Sequence, residues 1–275
     1  MSDPGASERI RFLRDAIAGI EQAGGGGAPA PVRRIAFGGA ALDLALGGLF
    51  SGALYEAAPL RMGDVAAATG FALGLARLFA DAKQGEILWA SDEFSARENG
   101  APYGPGLAAH GLPLRRIVFL RTPGGADLLW TLEEALRCGA ACAVVADLGS
   151  AAQKFDLVAA RRITQAARIS GTPAILIHPP GSFRRAMAQN GARMRFEISA
   201  RPSAVPAHGI RPVPGPAHFG LRFAKAGVEA GRMRGLDTDT TRTIIWDHGH
   251  GQFRDPLSLI ASAAARDRDG HAQRA

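Results

Sequence analysis

Four apolar residues, Ile10, Leu13, Ile17 and Ile20, recur at steps of three and four near the start of the chain. That spacing puts them on one stripe of a helix over residues 7–22, with Ser7 as its N-cap. Gly24 to Gly27 and then Ala28-Pro29-Ala30-Pro31 break the pattern and read as a linker. A short amphipathic helix on a tether suits docking on a partner, or folding back on its own domain.

From residue 32 the periodicity changes. Helix patterns at 41–46, 64–82, 126–137 and 154–170 alternate with short apolar runs at 53–57, 86–91, 116–121, 142–147 and 173–178. The runs Ile117-Val118-Phe119-Leu120, Ala143-Val144-Val145-Ala146 and Ala174-Ile175-Leu176-Ile177 are continuous rather than alternating. Such strands are expected to be buried on both faces of a mostly parallel sheet flanked by helices, an α/β fold. Past residue 190 strand follows strand, at 193–199, 219–225 and 243–246, which predicts an antiparallel extension of the same sheet. Pro202, Pro206, Pro212, Pro214 and Pro216 mark a long loop between the first two of these. The expected organisation is therefore a helix and linker over 1–31, one domain over 32–250 and a tail over 251–275.

Composition narrows the chemistry. The chain has 275 residues and a formal net charge of +7, with only three lysines (Lys83, Lys154 and Lys225) among its 32 basic residues. No run of apolar residues reaches the length a membrane span needs, and no apolar leader follows the N-terminus, so a cytoplasmic protein without membrane contact is expected. Cys138 and Cys142 form no disulfide framework and read as a buried pair of small side chains.

Residues 1–177 carry no net charge, residues 178–234 carry +8 and residues 235–275 carry −1. A single basic segment can attract a phosphate backbone or an acidic partner, or can be a solvated loop surface. Its candidate contacts are Arg184, Arg185, Arg193, Arg195, Arg222, Arg232 and Arg234. Phe183, Phe196, Phe219 and Phe223 interleave with it and could stack on bases. Phe196 and Phe223, however, lie in apolar runs that look like core.

Candidate catalytic groups are few. The Asp247-His248-Gly249-His250 cluster lacks the spacing of a metal site and reads as a polar turn. Asp92 and Glu93 follow a buried strand, where α/β sheets build their sites, but adjacent side chains of an extended chain point apart. Asp147 closes another buried strand, the position from which nucleotide hydrolases hold magnesium, and equally a common helix lead-in.

The stretch after the first buried strand decides between these. A phosphate loop needs glycines for close backbone approach, a lysine for the terminal phosphates and a hydroxyl for magnesium. Here it reads Ala57-Ala58-Pro59-Leu60-Arg61-Met62-Gly63-Asp64-Val65, with Ala58, Asp64 and Val65 in place of the glycine, lysine and hydroxyl residue. A carboxylate at ~4 Å from a phosphate costs about 1 kcal/mol even in water-like surroundings and several in a protein site. No nucleotide cofactor and no metal are expected.

The segment from Gly38 to Leu49, Gly-Gly-Ala-Ala-Leu-Asp-Leu-Ala-Leu-Gly-Gly-Leu, followed by Gly52-Ala53-Leu54-Tyr55-Glu56, resembles the lead-in to a RecA-type recombinase core. Strands ending in Asp92-Glu93 and Asp147, and the late strand Arg193 to Ile198, follow the same order, so the resemblance covers roughly residues 35–200. His178-Pro179 stands where recombinases carry Asn-Gln. A RecA-like core without its loop is similar to the ImuA family of damage-inducible mutagenesis, as are Trp89-Ala90-Ser91-Asp92 and the Arg-rich late strands. The resemblance implies a non-catalytic accessory role in SOS-induced, error-prone translesion synthesis. It implies as partners an ImuB-like Y-family polymerase relative and an error-prone replicative-type DNA polymerase, with RecA and DNA as further candidates. Two alternatives stay open: a SulA-like cell-division inhibitor, and an active RecA-like ATPase with an atypical loop.

Overall fold

The computed structural model describes residues 29–182, 191–203, 215–225 and 240–256. The predicted helix over 7–22, and with it Ile10, Leu13, Ile17 and Ile20, lies outside the described residues. The chain opens with β1 (Arg34–Ile35), α1 (Ala40–Leu46) and β2 (Leu49–Phe50), the two strands forming a small antiparallel pair. The Gly-Gly of the lead-in is explained here. Gly47 and Gly48 adopt φ of 72° and 85°, the left-handed region that ends α1 and turns the chain back. A side chain at Gly48 would also meet the Ile35 carbonyl at 2.8 Å. Asp43 braces the same turn, accepting the backbone N–H of Phe37 at 2.5 Å and of Gly38 at 2.9 Å.

The core elements are β3 (Leu54–Pro59), α2 (Val65–Ala82), β4 (Ile87–Asp92), α3 (Glu93–Asn99), α4 (Gly104–Ala109), β5 (Ile117–Thr122), α5 (Gly125–Cys138), β6 (Ala143–Asp147), α6 (Leu157–Ser170) and β7 (Ala174–Ile177). They are followed by β8 (Met194–Arg201), β9 (His218–Lys225), β10 (Arg242–Asp247) and β11 (Gln252–Arg254). Nine strands form one sheet in the order β11-β10-β9-β8-β3-β7-β6-β4-β5. The run from β8 to β5 is parallel throughout, and β9, β10 and β11 extend it antiparallel. This is the α/β RecA-like arrangement with its antiparallel extension. The sheet continues to Arg254, past residue 250, because Phe253 pairs with Trp246 across β10 and β11.

Each face has its own core. On one, α2 lies against β3, β6, β7 and β8, with Phe71, Leu75 and Phe79 buried. By length and composition α2 and its lead-in are apolar enough to cross a membrane, yet most of that stretch is buried inside the domain. Phe196, Phe219 and Phe223 join this core, so none of the three is a base-stacking platform. Phe71 meets Phe196 edge-on at 5.1 Å, and Phe253 lies 4.8 Å from both Phe37 and Trp246. On the other face, Leu128, Leu132 and Leu136 of α5 and Ile163 of α6 cover Leu54, Val144 and Leu176.

Two expectations are corrected. The run Ile117-Val118-Phe119-Leu120 is not buried on both faces. It forms β5 at the edge of the sheet, where Val118 is 40% and Phe119 51% exposed. The cysteines do not form a buried pair either, because Cys138 closes α5 on the surface while Cys142 is buried. Lys83 stands far from any phosphate position. Its ammonium donates to the carbonyls of Gly139 (3.2 Å) and Ala141 (2.8 Å) and to Thr172 Oγ1 (3.3 Å), tying α2 to the N-terminal ends of β6 and β7.

Candidate functional site

Ligand sites in open α/β sheets form beyond the carboxyl ends of the strands. Here that edge is built from the segments after β3, β4, β6 and β7. Strand β3 leaves the sheet at Pro59, the Leu60 N–H still bonding to the Ile198 carbonyl at 2.8 Å. A single 3-10 turn, Met62–Asp64, then leads into α2. Ala58 is buried within the strand, Gly63 faces open space and Val65 is half-buried. Leu60 and Met62 lie exposed in the loop.

Asp64 is 2% exposed and turns toward β8. Its Oδ1 accepts the Ala200 N–H at 2.9 Å and its Oδ2 faces Arg61 Nε at 3.3 Å. The carboxylate thus sits at the positive end of α2, where a phosphate-binding chain would hold its ligand. It also pins the helix start to a strand 136 residues away in sequence.

The strand-end acids divide the same way. Asp92 is fully buried and caps α3, accepting from Ser95 N at 2.6 Å and from Ser150 N and Oγ at 3.1 and 2.5 Å. Its oxygens are occupied in holding α3 to the turn Gly149–Gln153 after β6. Glu93 points outward and pairs with Arg97 at 3.1 Å, so the two neighbours do point apart. Asp147 is half-buried; its Oδ2 accepts from Asn99 Nδ2 at 3.2 Å and its Oδ1 from Gly149 N at 3.3 Å.

Asp147 borders a cleft of about 470 Å³ between the start of α2 and the segment 99–110. Trp89, Asn99, Tyr103 and His110 line it, the last three of which were not singled out from the sequence. The Gly/Pro-rich stretch after β4 was the available signal, since irregular segments at strand ends form pocket walls. His110 stacks on Trp246 at 5.0 Å, and the Trp246 indole N–H donates to the His110 carbonyl at 2.9 Å. Burial, opposed by a hydrogen bond with the Gly70 backbone, lowers the His110 pKa to about 4, with nearby His248 adding to the fall. The cleft therefore holds a neutral imidazole near pH 7 and offers a half-buried carboxylate engaged by an amide.

Four arginines of the basic segment are described; the candidate contacts Arg193, Arg195 and Arg222 are held within the fold, while Arg201 is exposed at the end of β8. Arg195 is corrected outright: it is 4% exposed, and its Nε lies 2.5 Å from the fully buried Glu56 across the β3–β8 pair, so it is no surface contact. Arg222 pairs with Glu197 on the neighbouring strand, its Nε donating at 2.5 Å. The Arg193 guanidinium lies 3.6 Å over the Phe50 ring. Arg184, Arg185, Arg232 and Arg234 lie outside the described residues, as does Phe183.

The Asp247-His248-Gly249-His250 segment is a turn between β10 and β11. Asp247 accepts from Arg254 at 2.8 Å and pairs with His250 Nδ1 at 2.9 Å. Burial pushes its carboxyl up, but the hydrogen bonds from His250 and the Arg254 charge outweigh this and leave it lowered. Among the described residues no three His, Cys, Asp or Glu side chains gather as metal ligands.

No protein-family model matches the chain. Over 249 residues it is 27% identical to a Caulobacter vibrioides protein named Protein ImuA, from strain NA1000 / CB15N, covering 87% of this chain and 93% of that relative. Protein ImuA of strain ATCC 19089 / CIP 103742 / CB 15 is similar to the same extent. The likeness spans nearly the whole relative and supports the resemblance to the ImuA family drawn from residues 35–200.

Proposed function

We propose that the chain is a RecA-like accessory protein of damage-induced mutagenesis that acts by contact rather than by catalysis. The observation that carries this is Asp64. A phosphate loop works by presenting backbone N–H groups and a lysine at the start of a helix. In this chain a buried carboxylate occupies that helix start and is committed to the Ala200 N–H. Asp92, at the end of β4, is likewise spent on Ser95 and Ser150.

The similarity to Protein ImuA supports placing this fold in the damage response. The implied partners are an ImuB-like Y-family polymerase relative and an error-prone replicative-type polymerase in the cytoplasm. DNA contact, if made, falls to Arg184, Arg185, Arg232 and Arg234. Equilibrium binding of labelled ATP to the full chain tests the reading. No saturable binding up to millimolar nucleotide is expected; saturable binding abolished by Asp147→Ala would overturn it. Deleting the gene is expected to lower damage-induced, not spontaneous, mutation frequency.

A further inference from the structure

The cleft beside Asp147 carries one sign of charge. Its volume is about 470 Å³, and it follows α2 from Val65 to Leu73. The chain has 32 basic residues, yet among the described residues that line the cleft there is no lysine or arginine. Asp147 is the one formally charged residue of that lining, and His110 is neutral near pH 7. Val65, Leu73 and Leu107 give the cleft an apolar wall. Tyr103 also lines it and is 74% exposed, so its ring stands at the mouth.

Two groups on the wall define the occupant. The half-buried Asp147 carboxylate accepts from Asn99 Nδ2 and Gly149 N, but no cation pairs with it among the described residues. Each carboxylate oxygen has a second lone pair, so acceptor capacity remains. Trp89 is 5% exposed, and its indole N–H is buried without a hydrogen-bond partner among the described residues. Buried indole N–H groups ordinarily find an acceptor. The cleft therefore asks for a cation with an acceptor beside it, and an anion would meet only repulsion. A simple amine offers the cation alone. An arginine residue offers both, the acceptor being its main-chain carbonyl. Its planar guanidinium can also give a carboxylate two parallel N–H bonds and lie flat on an aromatic ring. The cleft is in the size range of pockets that enclose a whole small molecule, which leaves room for main chain as well as side chain.

We propose that this cleft receives an arginine residue of another protein, its guanidinium on Asp147 and the Tyr103 ring and its main-chain carbonyl toward the Trp89 indole. The site would thus read a cation where a nucleotide site reads phosphate. The choice of a protein as the bearer rests on the contact-based function above. The demand for a cation with an acceptor beside it does not, because it comes from Asp147 and Trp89.

The test titrates the full chain by calorimetry with N-acetylarginine N-methylamide, its uncharged isostere N-acetylcitrulline N-methylamide, and butylguanidinium, a cation without a carbonyl. The arginine probe should bind saturably, and the citrulline probe at least about tenfold more weakly, since the charge-assisted bonds are lost. Butylguanidinium should fall between them. In Asp147→Asn, which keeps the shape and one acceptor oxygen, the arginine and citrulline probes should bind alike at an unchanged unfolding temperature. Tyr103→Ala changes an exposed residue, so it is expected to fold, and should weaken the arginine probe several-fold. A photoreactive phenylalanine replacing Tyr103, in the native host after DNA damage, then marks the bearer. The expected adduct is an arginine-containing segment of a different protein, whose synthetic peptide loses affinity in Asp147→Asn. The proposal is overturned by no saturable binding of the arginine probe, by equal binding of the citrulline probe to the wild type, or by butylguanidinium binding as well as the arginine probe. No adduct, or one confined to this chain or a second copy of it, overturns it equally. Saturable ATP binding that leaves the arginine–citrulline difference intact sinks the contact-based function alone, so the two failures are distinguishable.

Discussion

Asp64→Lys, which restores the lysine of a phosphate loop, is expected to unfold the chain more readily and not to create a nucleotide site. Three losses add. The bond from Ala200 N–H to a charged oxygen at 2.9 Å contributes about 1.5–3 kcal/mol. A carboxylate at the N-terminus of α2 contributes a further ~0.3–1 kcal/mol against the macrodipole. The ion pair with Arg61 adds little, since that side chain is 75% exposed. The sum is about 2–4 kcal/mol, or a fall of roughly 4–16 °C in melting temperature for a domain of this size. Asp64→Asn keeps an acceptor for Ala200 and is expected to lose only about 1 kcal/mol. The assay is paired urea unfolding of wild type, Asp64→Asn and Asp64→Lys, with labelled ATP titrated into each. If Asp64→Lys were as stable as wild type, or bound ATP saturably, the carboxylate would not be the strut described.

Other perturbations test other parts of the fold. Gly125→Ala places a Cβ 2.6 Å from Ala151 Cα and 2.7 Å from Ala151 N, both backbone, and is expected to cost about 1–3 kcal/mol by thermal melting; an unchanged melt would refute that close approach. Glu56→Ala removes the carboxylate facing the buried Arg195 guanidinium and is expected to cost about 3–5 kcal/mol in urea unfolding, with a loss under ~1 kcal/mol counting against the pair. His110 has a folded pKa of about 4, below its unfolded value of 6.5, so the unfolded chain gains the proton first as pH falls. Stability is then expected to drop between pH 6.5 and 4, by at most about 1.4 kcal/mol per unit, and to level below that. His110→Phe should keep the stack on Trp246 and flatten the dependence in urea midpoints measured at pH 7, 6 and 5.

Local pattern carried far in this chain, and its limit has a physical cause. The alternation of helices and strands and the antiparallel extension were legible because each rests on spacing within a few residues. The departures from a phosphate-loop pattern were legible for the same reason: Ala58, Asp64 and Val65 are neighbours in sequence. What Asp64 does instead was not, since Ala200 reaches it only through the β3–β8 pairing. Arg195 was misjudged on the same ground, its partner Glu56 lying on a strand 139 positions earlier in sequence. The capping of α3 by Asp92 could have been read, because the Asp precedes its helix by one residue.

The +8 segment shows how counting charge misleads when pairing is non-local. Arg193, Arg195 and Arg222 sit within it but face Phe50, Glu56 and Glu197. Arg115 and Arg121 belong to the half of the chain with no net charge, and they are the exposed cations that frame an apolar edge. A sum over sequence treats all five alike. Sorted by what each guanidinium touches, the exposed cations include a pair beside β5, at the far end of the sheet from the basic strands. Periodicity gave β5 the same signature as β6 and β7 because four apolar residues read alike in the middle of a sheet and at its edge. The rule for burial was met at β5 by residue type alone, and among the described residues the strand has β4 as its one neighbour.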